Sequence, residues 1–337
     1  LRPIGEFELI ALFTRDLPAA GEGVVVGIGD DAAVLRPPPG DLLVATVDAV
    51  VDRVHFGPAF APEDVGWKAL AVNLSDVAAM GARPLWALVA VATPRREDPS
   101  RLARIVRGLA ACARAHRVAV VGGNVTQARQ LSLTVTVLGS VRPDRILRRS
   151  GARAGDALLV SGTLGDAALG LAPGAPPALA RRQRRPAPRL ALGRALAGIA
   201  HACVDVSDGL LQDLGHLCRA SRVGASLRLS ELPLSPAYLS AARRLADPYE
   251  PALSGGEDYE LLAAVPVRRV REALRAARRA GTPLAVVGSV VPGGRVQVAR
   301  CRGGPHPVRR LGHDHLAAVP RARSLIWAPE DVGSISP

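Results

Sequence analysis

In "WKALAVNLSDVAAMGARP", Trp67 to Pro84, Leu70, Leu74 and Val77 recur at i, i+4 and i+7, the apolar stripe of a helix predicted from Pro62 to Met80. Asn73 and Asp76 lie three apart and share another face of that helix. Upstream, "LLVATVDAV", Leu42 to Val50, reads as a strand, and downstream so does Leu85 to Ala92. A second helix, Ser100 to Ala115, leads to the strands "VAVVGG", Val118 to Gly123, and "LSLTVTVLGSV", Leu131 to Val141. Two halves meet near Pro143 to Ala154. The second half opens with the strand "ALLVSG" from Ala157 and a helix from Asp166, followed by an Ala/Pro/Arg-rich stretch. Then come the strand "ACVDV", Ala202 to Val206, a helix carrying Leu210, Leu214 and Leu217, and the strand "ASLRL" from Ala225. A turn-like "LSGGEDYELLAAV", Leu253 to Val265, precedes a basic helix and a final strand "PLAVVGSV", Pro283 to Val290. The Gly/Pro-rich tail after Pro292 reads as irregular.

With 337 residues and 48% hydrophobic side chains, the chain has room for two domains with buried cores. Aromatics are scarce, so Leu, Val and Ala must fill those cores. No apolar run is long enough to cross a bilayer, and no basic-then-apolar signal opens the sequence, so a soluble cytoplasmic protein without a membrane partner is expected. Cys112, Cys203, Cys218 and Cys301 are far apart and form no CxxC pair, which argues for buried thiols rather than a zinc site or disulfides. The net charge of +13 rests on arginine, because Lys68 is the sole lysine. The densest cluster, "RRQRRPAPR" from Arg181 to Arg189, has no interleaved aromatics for base stacking. It reads as a solvated helix end and loop, and nucleic acid is not expected as a partner. A lone lysine in helical surroundings also excludes a P-loop and a protein-kinase strand lysine.

Aspartates recur beside apolar elements. Asp30 and Asp31 follow a Gly turn in "GIGDDAAVL", Asp48 ends a strand, Asp76 sits on a helix, and Asp205 and Asp208 stand where a strand passes into a helix. Any one of them suits a cap or a turn. Together they suggest several Mg²⁺ ions holding a polyphosphate, because hard cations take carboxylate and phosphate oxygens. "VVGGNVT", Val120 to Thr126, and "LSGGEDYEL", Leu253 to Leu261, offer glycine pairs that admit an anion to the backbone. Ser207, at the start of a predicted helix, offers either an N-cap or a backbone N–H to phosphate.

The series "GEFELI", "GIGDDAAV", "TVDAVVDRVHF", "WKALAVNLSDVAAMGARP", "VVGGNVT", "RRSGARAGD", "VDVSDGLLQDLGHL" and "LSGGEDYEL" resembles, in order and spacing, the thiamine-monophosphate kinase family of the aminoimidazole ribonucleotide synthetase superfamily. The resemblance runs from about Gly5 to His315. It implies a two-domain α+β / α/β fold: an N-terminal ATP- and Mg-binding α+β domain, 1–142, with strands that pair across a homodimer, and a C-terminal α/β domain, 143–318, before an irregular tail, 319–337. It implies an ATP-dependent phosphotransferase that converts thiamine monophosphate to thiamine diphosphate. By matching position, Asp31, Thr46, Asp48, Asp76 and Asp205 would hold Mg²⁺, Asp208 a further ion, and Val47 and Asn124 would stand among the metal positions. Gly122, Gly123, Arg149 and Ser207 would contact ATP, and His55 and Glu257 the thiamine phosphate. No catalytic base is implied, because a phosphate monoester is already largely dianionic at neutral pH.

The chain departs from the family pattern at four places. Asn124 replaces an aspartate, Val47 a frequent threonine, His116 a tyrosine near the nucleotide, and Arg310 an aromatic residue against the thiamine rings. A guanidinium facing a cationic thiazolium is unfavourable, so either Trp327 or another residue faces the ring, or the acceptor differs. Two further readings fit the same residues: another ATP-using enzyme of the superfamily that activates an amide or carboxyl oxygen, and a non-catalytic paralogue or basic RNA-binding module.

Overall fold

The computed structural model describes residues 6–300, 304–308 and 310–313. Gly5, Cys301, Trp327 and the expected tail 319–337 lie outside the described residues. The first half contains α1 (Glu6–Thr14), β1 (Val24–Val26), β2 (Val34–Leu35), β3 (Leu42–Val51), α2 (Pro62–Ala79), β4 (Arg83–Thr93), α3 (Pro99–His116), β5 (Ala119–Gln127) and β6 (Ser132–Val141). Its sheet runs β3-β6-β4-β5, with β4 and β5 parallel and the other neighbours antiparallel. Strand alternation sends Val50, Leu133, Val135 and Ala87 to an inner face against α2 and α3. On the outer face Val24, Ala33 and Leu35 cover Leu85, Trp86, Ala119 and Val121, while Leu43, Val47 and Leu88 stay exposed.

The second half contains β7 (Ala157–Ser161), α4 (Asp166–Gly170), α5 (Pro177–Arg184), α6 (Leu190–Leu196), β8 (Ala202–Val206), α7 (Leu210–Ser221), β9 (Gly224–Arg228), α8 (Pro236–Ala242), α9 (Glu250–Ser254), β10 (Glu260–Val265), α10 (Val270–Arg279), β11 (Leu284–Val291) and β12 (Val296–Ala299). The sheet order is β12-β9-β11-β7-β10-β8, antiparallel except for the β12–β9 pair. Every residue of β7, β8 and β10 is buried, so these strands are covered on both faces.

α2 lies between the two sheets, touching β3 and β6 on one side and α6 and β8 on the other. A helix enclosed in this way is buried nearly all round, which corrects the expectation of a polar face through Asn73. Asn73 is fully buried and donates its amide to the Ala69 carbonyl at 3.0 Å. α3 approaches α2 closely through Gly66 and Gly108, where a Cβ would fall 1.8 and 1.9 Å from the Ile105 and Glu63 carbonyl oxygens.

Three readings change. The Ala/Pro/Arg-rich stretch holds α5 and α6, with Pro177 at the first turn of α5. The turn-like segment before the basic helix ends in β10, whose "ELLAAV" lacks alternation because neither face meets water. The tail after Pro292 contributes β12 as an edge strand. Among the described residues, no helix is long and apolar enough to cross a membrane, and Cys112, Cys203 and Cys218 are buried free thiols.

Candidate active site

The seam between the two halves opens into a cleft of about 800 Å³. β3 supplies Asp48, α2 supplies Asp76, β8 supplies Asp205, and the β8–α7 loop supplies Ser207 and Asp208. Arg149 enters from the segment linking the halves. Thr46 donates to Asp76 Oδ2 at 2.6 Å, and Ser75, one turn position before, donates to Asp205 Oδ2 at 2.7 Å. Burial, then the neighbouring Asp76 charge, pushes Asp205 up to about 7 against the Ser75 hydroxyl and Arg149. Burial also raises Asp76, opposed by Thr46 and Arg149.

Among the described residues the lining holds seven carboxylates and two arginines, Arg149 and Arg310. Such an excess of hard oxygen donors in a partly buried cleft fits Mg²⁺, which takes oxygen ligands and relieves repulsion of this kind. A carboxylate missed in the sequence, Asp213 in the first turn of α7, accepts the N–H groups of Ser207, Asp208 and Gly209 at 3.0, 3.0 and 3.2 Å. Of the two readings of Ser207, neither matches as stated: its N–H is engaged by Asp213 rather than open to phosphate, and Gly209 occupies the N-cap of α7. An acidic residue in a helix's first turn is the signal that could have found this cap. Asp208, Asp213 and His216 also bring one ligand atom each within 4.8 Å of one another.

His55 lies in the turn that closes β3, where its N–H meets the Val51 carbonyl at 2.9 Å. Its Nδ1 accepts the Val51 N–H at 3.1 Å, so the neutral ring carries its proton on Nε2. Glu257, across the cleft on the α9–β10 loop, has φ +70° and donates its N–H to the Ser207 carbonyl at 2.7 Å. Its Oε1 is 2.6 Å from Lys68 Nζ, and its Oε2 accepts from Gln183 Nε2 at 3.1 Å. Lys68 also donates to the His55 carbonyl at 3.1 Å. Burial lowers the Lys68 pKa while Glu257 works the other way. Arg310 lines the same cleft, held near it by the His313 N–H on the Asp208 carbonyl at 2.9 Å.

The remaining predicted residues are elsewhere. Gly122, Gly123, Asn124 and Asp31 line a second, largely apolar cavity of about 710 Å³ that reaches the β5 edge. The register places Asn124 beside Ala90, Thr134 and Ala49 in one row, and Val47 beside Thr136, Leu88 and Gly122 in another. Thr46 and Asp48 flank these rows and face α2, so Val47 and Asn124 occupy the opposite face of the sheet from the carboxylate cleft. Asn124 lies within β5. Asp31 is exposed and donates its N–H to Asp30 Oδ1 at 2.9 Å, a turn arrangement. His116 ends α3 and meets Trp67 edge-on at 6.2 Å, lining neither cavity.

The arginine stretch is not solvated as expected. Arg182 and Arg189 converge on buried Glu260, Arg185 pairs with Asp64, and Arg184 lies 5.6 Å from the Phe60 ring centroid.

Residues 29–141 match the N-terminal domain of AIR synthase related proteins and residues 153–300 the C-terminal domain. A thiamine-monophosphate kinase of Haemophilus influenzae is 37% identical over 297 residues, spanning 85% of this chain and 89% of its own length. The crystal structure of thiamine-monophosphate kinase from Stenotrophomonas maltophilia K279a is 39% identical with a TM-score of 0.79, covering 86% of this chain and 95% of that one. AaThiL complexed with AMPPCP and TMP is 32% identical with a TM-score of 0.71, covering 90% of this chain and 97% of that one. With both domains matched and relatives aligned over most of their length, the chain belongs to the AIR synthase related family and, within it, to the thiamine-monophosphate kinases.

Proposed function

We propose that this chain transfers the γ-phosphoryl group of ATP to thiamine monophosphate in the cleft between its sheets, giving thiamine diphosphate and ADP. The observation that carries this reading is the convergence of Asp48, Asp76, Asp205 and Asp208 with Arg149 in a member of that kinase family. The acceptor is a phosphate monoester with a second pKa of about 6, so it arrives largely dianionic and needs no general base. What the site must overcome is repulsion between two anions held in line.

Thr46, Asp48, Asp76 and Asp205 are the proposed Mg²⁺ ligands, with Asp208 holding a further ion. Mg²⁺ there would screen the phosphates of both substrates. Arg149 places a fixed guanidinium against the nucleotide phosphates, and Ser207 contacts them through its hydroxyl. His55 offers its Nε2 proton to the acceptor phosphate, while Glu257 accepts from the acceptor or balances its thiazolium charge. The bare backbone at Gly122 and Gly123 beside the apolar cavity suits the nucleobase. Residues 1–142 would form the nucleotide and metal half and 143–318 the closing half. A homodimer formed through the β3 edge and the exposed outer face of its sheet would cover Leu43 and Val47, and would enclose Asp31 and Asn124 near that face.

Turnover with Mg²⁺ and ATP, with and without thiamine monophosphate, tests the reading by chromatography of products. One ADP per thiamine diphosphate, dependent on Mg²⁺, is expected. ADP release without thiamine diphosphate overturns the assignment of the acceptor.

A further inference from the structure

Every other cation-bearing long side chain in this sequence is an arginine, so the single lysine stands where a guanidinium was not used. Lys68 is on α2, between the sheets, with its side chain 1% exposed. Its ammonium sits 5.5 Å from the Phe60 ring centroid and within reach of two groups from opposite sides of the cleft: the His55 carbonyl of the first half and the Glu257 carboxylate of the second. A compact ammonium with three donors fits between a carbonyl, a carboxylate and a ring, where a planar five-donor fork does not. Gln183 on α5 takes the second Glu257 oxygen, so both oxygens of that carboxylate are fixed by protein donors. The Glu257 backbone is in the left-handed region and needs such restraint to persist.

We propose that Lys68 is a positioning residue that sets affinity for the phosphoryl acceptor by holding Glu257 and the His55 turn in register across the seam. The proposal rests on the phosphoryl-transfer reading, because it assigns the acceptor to those two residues. Lys68 itself does not reach the cleft lining. It acts through Glu257, and so its effect is separable from that of the nucleotide contacts at Arg149 and Ser207.

The test is steady-state kinetics on the full chain with Mg²⁺, ATP and thiamine monophosphate, comparing parent, Lys68→Met, Glu257→Gln and the double variant. Lys68→Met should raise KM for the acceptor at least tenfold while KM for ATP stays within twofold. In the Glu257→Gln background the same substitution should add less than threefold, because the route through Glu257 is already cut. Equal changes in both KM values, or a double variant whose losses multiply, would overturn the proposal in favour of a purely structural buried pair. Should Lys68→Met fail to fold, Lys68→Arg keeps the charge but puts a planar fork where Glu257 and the His55 carbonyl take a compact ammonium. A threefold or larger rise in acceptor KM is then expected, and an unchanged value overturns the proposal. A parent that makes no thiamine diphosphate brings down the function reading and this inference together, whereas an active parent whose variants lack the split brings down the inference alone.

Discussion

Replacing Glu260 with Gln probes whether "RRQRRPAPR" clamps the second half of the molecule. Glu260 opens β10, is fully buried, and receives the guanidinium groups of both Arg182 and Arg189 on Oε1. Its Oε2 accepts from Arg189 Nε at 2.7 Å and from the Ser161 hydroxyl at 2.5 Å. Ser161 in turn accepts the Leu261 N–H at 2.8 Å. Gln keeps the shape but cancels the charge and turns an NH₂ group toward two cations. The arginine side chains, 25% and 16% exposed, cannot regain full hydration in place. Stripping a buried ionic cluster of its counter-charge costs about 3–5 kcal/mol. For a chain of this length a kilocalorie moves Tm by roughly 2 °C, so the variant should melt about 6–10 °C lower. Calorimetric melting of parent and variant in one buffer at pH 7 measures this. A control that makes Glu260 and Arg189 apolar and leaves Arg182 with Asp166, 3.9 Å from its Nε, should recover part of the loss, because fewer charges are then left without a partner. A drop below about 2 °C for Glu260→Gln would refute the reasoning and return the arginines to the status of a solvated stretch.

Asp76→Asn should cut phosphoryl transfer about a hundredfold, by the order of magnitude a lost metal ligand implies, and should raise the metal-free melting temperature, since it removes the Asp76 charge that repels buried Asp205. Parent-like rates at physiological Mg²⁺ would defeat the metal assignment. Arg310→Trp should tighten thiamine monophosphate binding by on the order of 1 kcal/mol, about fivefold, as an aromatic face replaces a guanidinium near the thiazolium. Unchanged affinity by calorimetry would place the ring elsewhere in the cleft. Gly123→Ala would set a Cβ 2.0 Å from the Val89 carbonyl oxygen, so β4 and β5 must separate and the melting temperature should fall by several degrees, corresponding to about 1–3 kcal/mol of overpacking. Leu43→Glu, on the exposed outer face, should shift the mass seen by light scattering from dimer to monomer, and a parent that is already monomeric would dispose of the proposed homodimer.

Elements with a clean period were legible. α2 and α3 begin within a residue of where their apolar spacing predicts, and β3, β6, β7 and β8 fall on the runs that alternate or are continuously apolar. β10 was obscured because "SGGEDY" announces a turn and "ELLAAV" carries no alternation; only the second sheet packed around it makes it a strand. Burial of Asn73 was illegible for a related reason. An amphipathic helix and a helix pressed between two sheets share the same stripe, and the difference lies in what covers the other side.

The candidate site divides along the same line. Asp48, Asp76, Asp205 and Asp208 were readable because each sits at the end or on the face of a rigid element, and the fold brings those elements to one seam. Val47 and Asn124 were placed with them by motif order, which records distance along the chain but not the face of a strand. Face is decided by register. Ala49, Thr134, Ala90 and Asn124 share one row, and Asp48, Val135, Val89 and Gly123 the next, so a single step along β3 separates a residue over α2 from one on the outer side. Glycine at 123 leaves no side chain on the inner row of β5, where a Cβ would meet the Val89 carbonyl oxygen of β4, and the outer row carries the amide. The two groups of predicted ligands therefore flank one sheet whose edges are β3 and β5: Asp48 faces α2 from the first, Asn124 faces outward from the second, and any arrangement that uses both must reach around an edge.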